Sequence, residues 1–221
     1  MSSDKQKNPE KKDIKFILNL FNENKFIEAE NEVNKLIVSF PSSSILFNLL
    51  GAAFAEQNKL EEAIDNYKKS IKINPNYEQA YNNLGVALHK STKLNDAIKN
   101  YKKAISLNGS FAEAYNNLGT VMRELNNLSE ALTNLKKAIK IKPNYAEAFN
   151  NLGGLYQQSG NNKEALTNFK KAIEIKSNYP EAYNGLGLCF ESLAMYEESL
   201  NSYERAIKLN SNYEKPYNNI A

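Results

Sequence analysis

Glycine recurs every 34 residues through most of this chain. It stands at Gly51, Gly85, Gly119, Gly153 and Gly187. A leucine precedes each of these glycines, and an aromatic residue lies four positions before each. A fixed period of this length is typical of a repeat array, in which each structural repeat contacts its neighbours instead of sharing one central core. The sequence therefore predicts a series of stacked repeats.

Small and large residues alternate at fixed places after each glycine. Small residues follow it by twelve positions, at Ala63, Ala97, Ala131, Ala165 and Ser199. Large residues come four positions later, at Tyr67, Tyr101, Leu135, Phe169 and Tyr203. Spacings of three and four put these side chains on one face of a helix, and the small residues let a second helix approach closely. Each repeat is predicted to be a pair of packed α-helices, which makes the fold all-α.

Turn residues separate the predicted helices. The turn inside each repeat needs a left-handed backbone conformation, which glycine and asparagine adopt readily. The residues at this position are Asn58, Thr92, Asn126, Gly160 and Ala194, so threonine and alanine fit it poorly. Between repeats, segments such as 74–76 (Asn-Pro-Asn) and 142–144 (Lys-Pro-Asn) are expected to stop a helix.

These signals define the predicted domain organisation. We predict five full repeats at 44–77, 78–111, 112–145, 146–179 and 180–213. A degenerate repeat at 10–43, with Ile17 in place of the glycine, is expected to cap the array. Residues 1–9 are predicted to form a disordered polar tail. Residues 214–221 begin a further, truncated repeat, and we expect the native protein to continue beyond it.

The pattern resembles the tetratricopeptide repeat signature: an aromatic residue, Leu-Gly, a second aromatic residue, alanine, a third aromatic residue and a closing proline. The resemblance covers nearly the whole chain. Tyrosine or phenylalanine replaces the usual tryptophan, and proline is absent at Gly109, Ser177 and Ser211. The resemblance implies a right-handed α-solenoid of stacked helix-turn-helix repeats, in which the first helix of each repeat lines the concave side of a superhelix.

Asparagine pairs precede the leucine of several repeats, at Asn82-Asn83, Asn116-Asn117 and Asn150-Asn151, whereas Asn184-Gly185 keeps only the first member. An asparagine amide offers both donors and an acceptor, so it can bond the backbone of an extended peptide without reading its sequence. We therefore predict an asparagine-lined concave groove that binds an extended peptide or a partner protein. Other side chains predicted to face the groove are His89, Thr120, Arg123, Glu124, Gln157, Gln158 and Glu191.

Two alternatives remain open at this stage. Asparagine is abundant throughout the chain, so the pairs could be compositional and have no binding role. The pairs are also similar to those in the repeats that precede the catalytic domain of protein O-linked N-acetylglucosamine transferases. That resemblance implies a second hypothesis, a substrate-recognition arm of a larger glycosyltransferase whose catalytic domain lies outside this chain. Binding of acidic chaperone tails is disfavoured, because the matching family positions hold no basic residue: Asn48, Ala52, Asn82, Val86, Glu113 and Glu147.

Several function classes are not expected. The longest apolar stretches are too short to cross a bilayer, so no membrane partner is expected. The net charge of +3 is spread over 221 residues, and the lysine pairs of the second helices resemble a solvated outer face, so nucleic acid is not expected. These pairs are Lys68-Lys69, Lys102-Lys103, Lys136-Lys137 and Lys170-Lys171.

Catalysis is not expected within these residues either. The one cysteine, Cys189, is predicted to pack in the core, and with the single histidine it is too little for a structural zinc site. The same cysteine count favours a cytoplasmic setting. We predict no catalytic site and no cofactor in this segment, and the sequence leaves the oligomeric state open.

Overall fold

The computed structural model describes residues 9–220. In this range the chain forms thirteen α-helices and no strand, which confirms the all-α prediction. The helices are α1 (Lys11–Asn22), α2 (Phe26–Ser39), α3 (Ser44–Glu56), α4 (Leu60–Ile73), α5 (Glu78–Lys90), α6 (Leu94–Leu107), α7 (Ala112–Glu124), α8 (Leu128–Ile141), α9 (Ala146–Gln158), α10 (Asn162–Ile175), α11 (Pro180–Ser192), α12 (Tyr196–Leu209) and α13 (Glu214–Ile220). The predicted polar tail lies outside the described residues, apart from Pro9.

Helix pairs are the building blocks of the fold. Each predicted full repeat contains a first helix of 13 residues and a second helix of 14 residues, as in α7 and α8. The helices pack into two compact groups, an N-terminal half that ends at Gly109 and a C-terminal half that begins at Ser110. Within each half, the two helices of a repeat pack on each other and on the next repeat, as expected for an α-solenoid. Among residues 9–220, no helix has the length and apolar character of a membrane-spanning segment.

The periodic glycines lie where two helices of a repeat come closest. A Cβ atom at Gly85 would stand 2.6 Å from Cε1 of Tyr101, and one at Gly119 would stand 2.8 Å from Cγ of Leu135. Both large partners are fully buried. A side chain at these glycines would therefore overlap the large residue of the second helix, which explains why small and large residues alternate in the sequence.

The turns inside the repeats have left-handed backbone conformations. The residues concerned are Asn24, Asn58, Thr92, Asn126, Ala194 and Gly160, with φ between 57° and 76°. The backbone around each turn is closed by hydrogen bonds to the end of the first helix, as where the amide of Lys59 donates to the carbonyl of Phe54 at 2.9 Å. The turn prediction is therefore confirmed, and Thr92 and Ala194 adopt the left-handed conformation despite their side chains.

Buried residues fill the space between neighbouring helices. In the predicted degenerate repeat, Ile17 is fully buried and belongs to a cluster that includes Val33 of α2 and Leu46 of α3. In the C-terminal half, Cys189 is buried in a cluster drawn from α9, α10 and α11. Burial raises the pKa of the Cys189 thiol to about 11, so the group stays protonated at neutral pH, in keeping with a packing role. The lysine pairs of the second helices are exposed except for the partly buried Lys171.

Candidate binding site on the first helices

The two asparagines of each pair occupy different environments, because consecutive residues of a helix point in directions about 100° apart. The first asparagine is buried in four repeats, with an exposed fraction of 5% or 6%, at Asn48, Asn82, Asn116 and Asn184. The second is partly exposed, at Asn83, Asn117 and Asn151. Among the other first asparagines, Asn150 is only partly buried and Asn218, next to Asn219, is exposed.

Hydrogen bonds join the asparagines of successive repeats. The Nδ2 atom of Asn83 donates to Oδ1 of Asn48 at 3.1 Å. In the C-terminal half, Asn151 donates in the same way to Asn116 at 2.9 Å, and Asn219 donates to Asn184 at 3.0 Å. We call this series, in which the second position of one repeat donates to the first position of the preceding repeat, the asparagine ladder.

The ladder uses part of the hydrogen-bonding capacity of each amide. Nδ2 of Asn151 also donates to Oγ1 of Thr120 at 3.2 Å, and the Thr120 hydroxyl donates to the backbone carbonyl of Asn116 at 3.0 Å. The Oδ1 atom of the partly exposed Asn151 has no hydrogen-bond partner among residues 9–220. This amide is therefore held in a fixed orientation with an acceptor to spare.

Gly185 interrupts the ladder. It occupies the second position of repeat 180–213 and has no side chain that could donate to the preceding repeat. In the described residues, the buried Oδ1 atom of Asn150 accordingly has no hydrogen-bond partner. The ring of Phe169 occupies the space instead, because a Cβ atom at Gly185 would stand 2.5 Å from its Cε1 and Cζ atoms.

A pocket of about 320 Å³ lies at this interruption, within the C-terminal half. The side chains that matter most for its chemistry are those of Arg123, Asn150, Asn151, Glu181, Lys215 and Asn219. Arg123 lies against Gly154, where a Cβ atom would collide with its guanidinium. Burial lowers the pKa of Arg123, and Glu124 offsets part of the shift, but an arginine remains charged at neutral pH. Its guanidinium has no ion-pair or hydrogen-bond partner in the described part of the chain.

The pocket brings together some of the predicted site residues and leaves others apart. Those that line it are Arg123, Asn150, Asn151, Gln157 and Asn184. Thr120 takes part in the ladder, whereas Gln158 donates to Asn126 at 3.3 Å and Glu191 accepts from the Tyr203 hydroxyl at 2.8 Å. His89 is partly buried near the end of α5, and Glu124 is exposed at the end of α7.

Four residues that give the pocket its form were not predicted to belong to the site: Gly154, Phe169, Glu181 and Lys215. Two signals in the sequence pointed towards it. The asparagine pair is incomplete at Gly185, and the periodic glycine is doubled at Gly153-Gly154. Nothing in the repeat pattern marked Lys215, which reaches the pocket from the start of α13.

The stacked helix pairs and their closely packed glycines define an α-solenoid repeat protein. A family model described as TPR repeat matches residues 51–91, 93–122 and 119–160, and one described as Tetratricopeptide repeat matches 144–212. The chain belongs to the tetratricopeptide repeat family.

Solved structures share this fold. The MamA protein is 28% identical with a TM-score of 0.62, over 78% of this chain and 94% of MamA. YrrB, described as a TPR protein with an unusual peptide-binding site, is 21% identical with a TM-score of 0.61, over 85% of this chain and 97% of YrrB. PilW, described as a widely conserved type IV pilus biogenesis factor, is 14% identical with a TM-score of 0.82, over 95% of this chain and 97% of PilW. No curated protein matches the chain in sequence.

Proposed function

We propose that this chain is a protein-interaction module that binds an extended polypeptide along the asparagine-bearing first helices of its repeats. The observation that carries the proposal is the asparagine ladder, which fixes amide side chains of successive repeats and leaves Oδ1 of Asn151 unpaired. A backbone N–H group of an extended ligand is a suitable donor for this acceptor. YrrB, which has the same fold, is described as having a peptide-binding site, and this is consistent with the proposal.

The energetics of such a site favour weak, sequence-tolerant binding. Each hydrogen bond contributes only about 0.5–1.5 kcal/mol net, whereas association costs several kcal/mol. The ladder reduces part of that cost, because hydrogen bonds such as that of Asn83 to Asn48 order the amides before a ligand arrives. Tight binding would then need contacts beyond the ladder.

A display library of short random peptides tests the proposal. The double variant Asn116→Ala/Asn151→Ala removes the donor and the acceptor of one ladder hydrogen bond together. Neither side chain is then left behind without its partner. We expect the wild-type protein to enrich peptides and the double variant to lose that enrichment. The matched control is Asn201→Ala, which removes an exposed asparagine of the second helix α12. Equal enrichment by the double variant, with unchanged helical circular dichroism, would contradict the assignment.

The second candidate function is substrate recognition for a glycosyltransferase. The asparagine pairs favour it, because a sequence-tolerant groove suits an enzyme that modifies many proteins. The same pairs support the simpler interaction module, so these helices alone do not distinguish the two functions. The reading frame that follows Ala221 separates the two functions: a sugar-nucleotide-binding domain there would favour the enzyme arm, and further repeats followed by a stop codon would favour the interaction module.

A further inference from the structure

The pocket at Gly185 differs from the rest of the ladder in three ways. The acceptor Oδ1 of Asn150 is buried without a partner. The guanidinium of Arg123 has no counter-charge that bonds it among residues 9–220. Two glycines, Gly154 and Gly185, stand where other repeats place a side chain, and Arg123 and the Phe169 ring lie against them instead. These features come from α7, α9 and α11, so the stacking of three repeats brings them together.

Charge in the pocket favours an anionic group. A partly buried cation without a partner is unfavourable, and a carboxylate can bond a guanidinium through two parallel hydrogen bonds. The pocket has one carboxylate of its own, the exposed Glu181, and a second cation, Lys215, that offsets it. Arg123 therefore remains available to a ligand.

The size and the surroundings of the pocket define the ligand further. Its volume of about 320 Å³ is roughly ten times the volume per molecule of liquid water, enough for a small acidic side chain. Ladder hydrogen bonds lie on both sides of it, between Asn116 and Asn151 and between Asn184 and Asn219. A polypeptide bound along the ladder would thus continue past the pocket in both directions, which places the carboxylate on an internal residue.

We infer that the pocket at Gly185 is a specificity subsite for an aspartate or glutamate side chain of the bound polypeptide. Arg123 bonds the carboxylate, and the unpaired amide oxygen of Asn151 accepts an N–H group of the adjoining backbone. This inference rests on the proposed function and adds a sequence preference to it. The preference is confined to one position of the ligand, because the ladder is interrupted at Gly185 and continues at Asn219.

Selection from the same random peptide library tests the charge requirement. Peptides enriched on the wild-type protein are expected to carry aspartate or glutamate at one fixed position. Arg123→Gln should reduce that preference at least about tenfold, the value of one charge-assisted hydrogen bond, while peptides still bind. Arg205→Gln removes the other arginine of the chain, on the exposed face of α12, and should leave the preference unchanged.

Failure of the inference is distinguishable from failure of the proposed function. Peptides that bind without an acidic position, or an acidic preference that survives Arg123→Gln, overturn the subsite and leave the ladder intact. A wild-type selection that enriches no peptide overturns both. A ligand carboxylate could come from an acidic side chain or from the C-terminus, and synthetic versions of a selected peptide distinguish the two. The amidated peptide should bind, whereas binding that needs a free C-terminal carboxylate in place of the acidic side chain overturns the inference.

Repair of the ladder tests the pocket independently. Gly185→Asn alone would collide with the Phe169 ring, so it is combined with Phe169→Leu. The pair copies Leu135 and Asn151, the residues that occupy these positions one repeat earlier. The double variant should pair the Asn150 amide, melt no lower than Phe169→Leu alone and lose the acidic preference about tenfold. A folded double variant that keeps the preference overturns the assignment.

Discussion

Asparagine side chains on the first helices join successive repeats through hydrogen bonds. Asn116 is buried, and its Oδ1 atom accepts the hydrogen bond that Asn151 donates across 35 positions of the chain. A buried acceptor without a partner costs about 1–3 kcal/mol, whereas loss of both partners can be nearly neutral. The second asparagine of a pair therefore links two repeats while it stays partly exposed.

A double-mutant cycle measures this link. We expect Asn151→Ala to lower the free energy of unfolding by about 1–3 kcal/mol, because it leaves Oδ1 of Asn116 without a donor. The double variant Asn116→Ala/Asn151→Ala should cost less than the sum of the two single variants. Urea unfolding of the four proteins gives the coupling energy. A coupling energy of zero would show that the hydrogen bond contributes nothing to stability.

The left-handed turns inside the repeats give a second prediction for single residues. Ala194 has φ of 57°, which costs a residue with a Cβ atom roughly 1–2 kcal/mol and costs glycine almost nothing. Ala194→Gly should therefore raise the free energy of unfolding by about 1 kcal/mol after the entropy of glycine is counted.

The reciprocal variant is the control. Gly160 holds the same turn position one repeat earlier, with φ of 76° and open space around the site of its Cβ atom. Gly160→Ala should lower the free energy of unfolding by about 1 kcal/mol through backbone strain alone. Thermal melts of both variants check the pair, and changes of the same sign would contradict the explanation.

Packing inside a helix pair determines which glycines are required. A Cβ atom at Gly85 would stand 2.6 Å from the buried ring of Tyr101, whereas one at Gly109 would meet no atom within 4 Å. The rigid ring cannot yield, so the collision outweighs the gain of roughly 1 kcal/mol in helix propensity. Gly85→Ala should lower the free energy of unfolding by about 1–2 kcal/mol.

Gly109→Ala supplies the comparison for that prediction. It lies after α6 in a turn with open space, so the free energy of unfolding should stay unchanged or rise by up to about 1 kcal/mol. Both variants are measured by urea unfolding under one set of conditions. A neutral Gly85→Ala would show that the first and second helices of the repeat adjust their separation freely.

Helix pairs and their turns were predictable because they depend on spacing alone. Recurring small residues such as Gly85 and large ones such as Tyr101 identify the contact between helices, and the left-handed position follows from Asn58 and Gly160. The hydrogen bond between Asn116 and Asn151 was not predictable, since it depends on side-chain rotamers and on the distance between stacked repeats.

The pocket escaped prediction for a related reason. It depends on a side chain that is missing at Gly185 and on the direction in which the Phe169 ring turns to fill that space. It also needs Lys215 from the following repeat, and a repeat pattern gives no sign that a single lysine reaches the site. A departure from periodicity, as at Gly185, was the part of the site that could be seen in the sequence.

At the scale of the whole molecule, buried residues near the two ends of the described chain belong to separate clusters. One cluster joins buried residues of α1, α2 and α3, and another joins residues of α9, α10 and α11. In a repeat array the stability of each element depends on its own helices and on those of its neighbours. A cavity in one cluster should therefore loosen nearby helices and leave distant helices protected.

Native-state hydrogen exchange tests this expectation, because it measures the amide protection of each helix separately. Leu46→Ala empties a fully buried site in the first cluster, at a cost of about 2–5 kcal/mol. Amide protection should fall in α1 to α4 and stay unchanged in α9 to α12, because no residue of the first cluster belongs to the second. Leu186→Ala in the second cluster should give the reverse pattern. Equal loss of protection in both groups of helices would mean that the chain unfolds as one cooperative body, which a sum of local clusters does not produce.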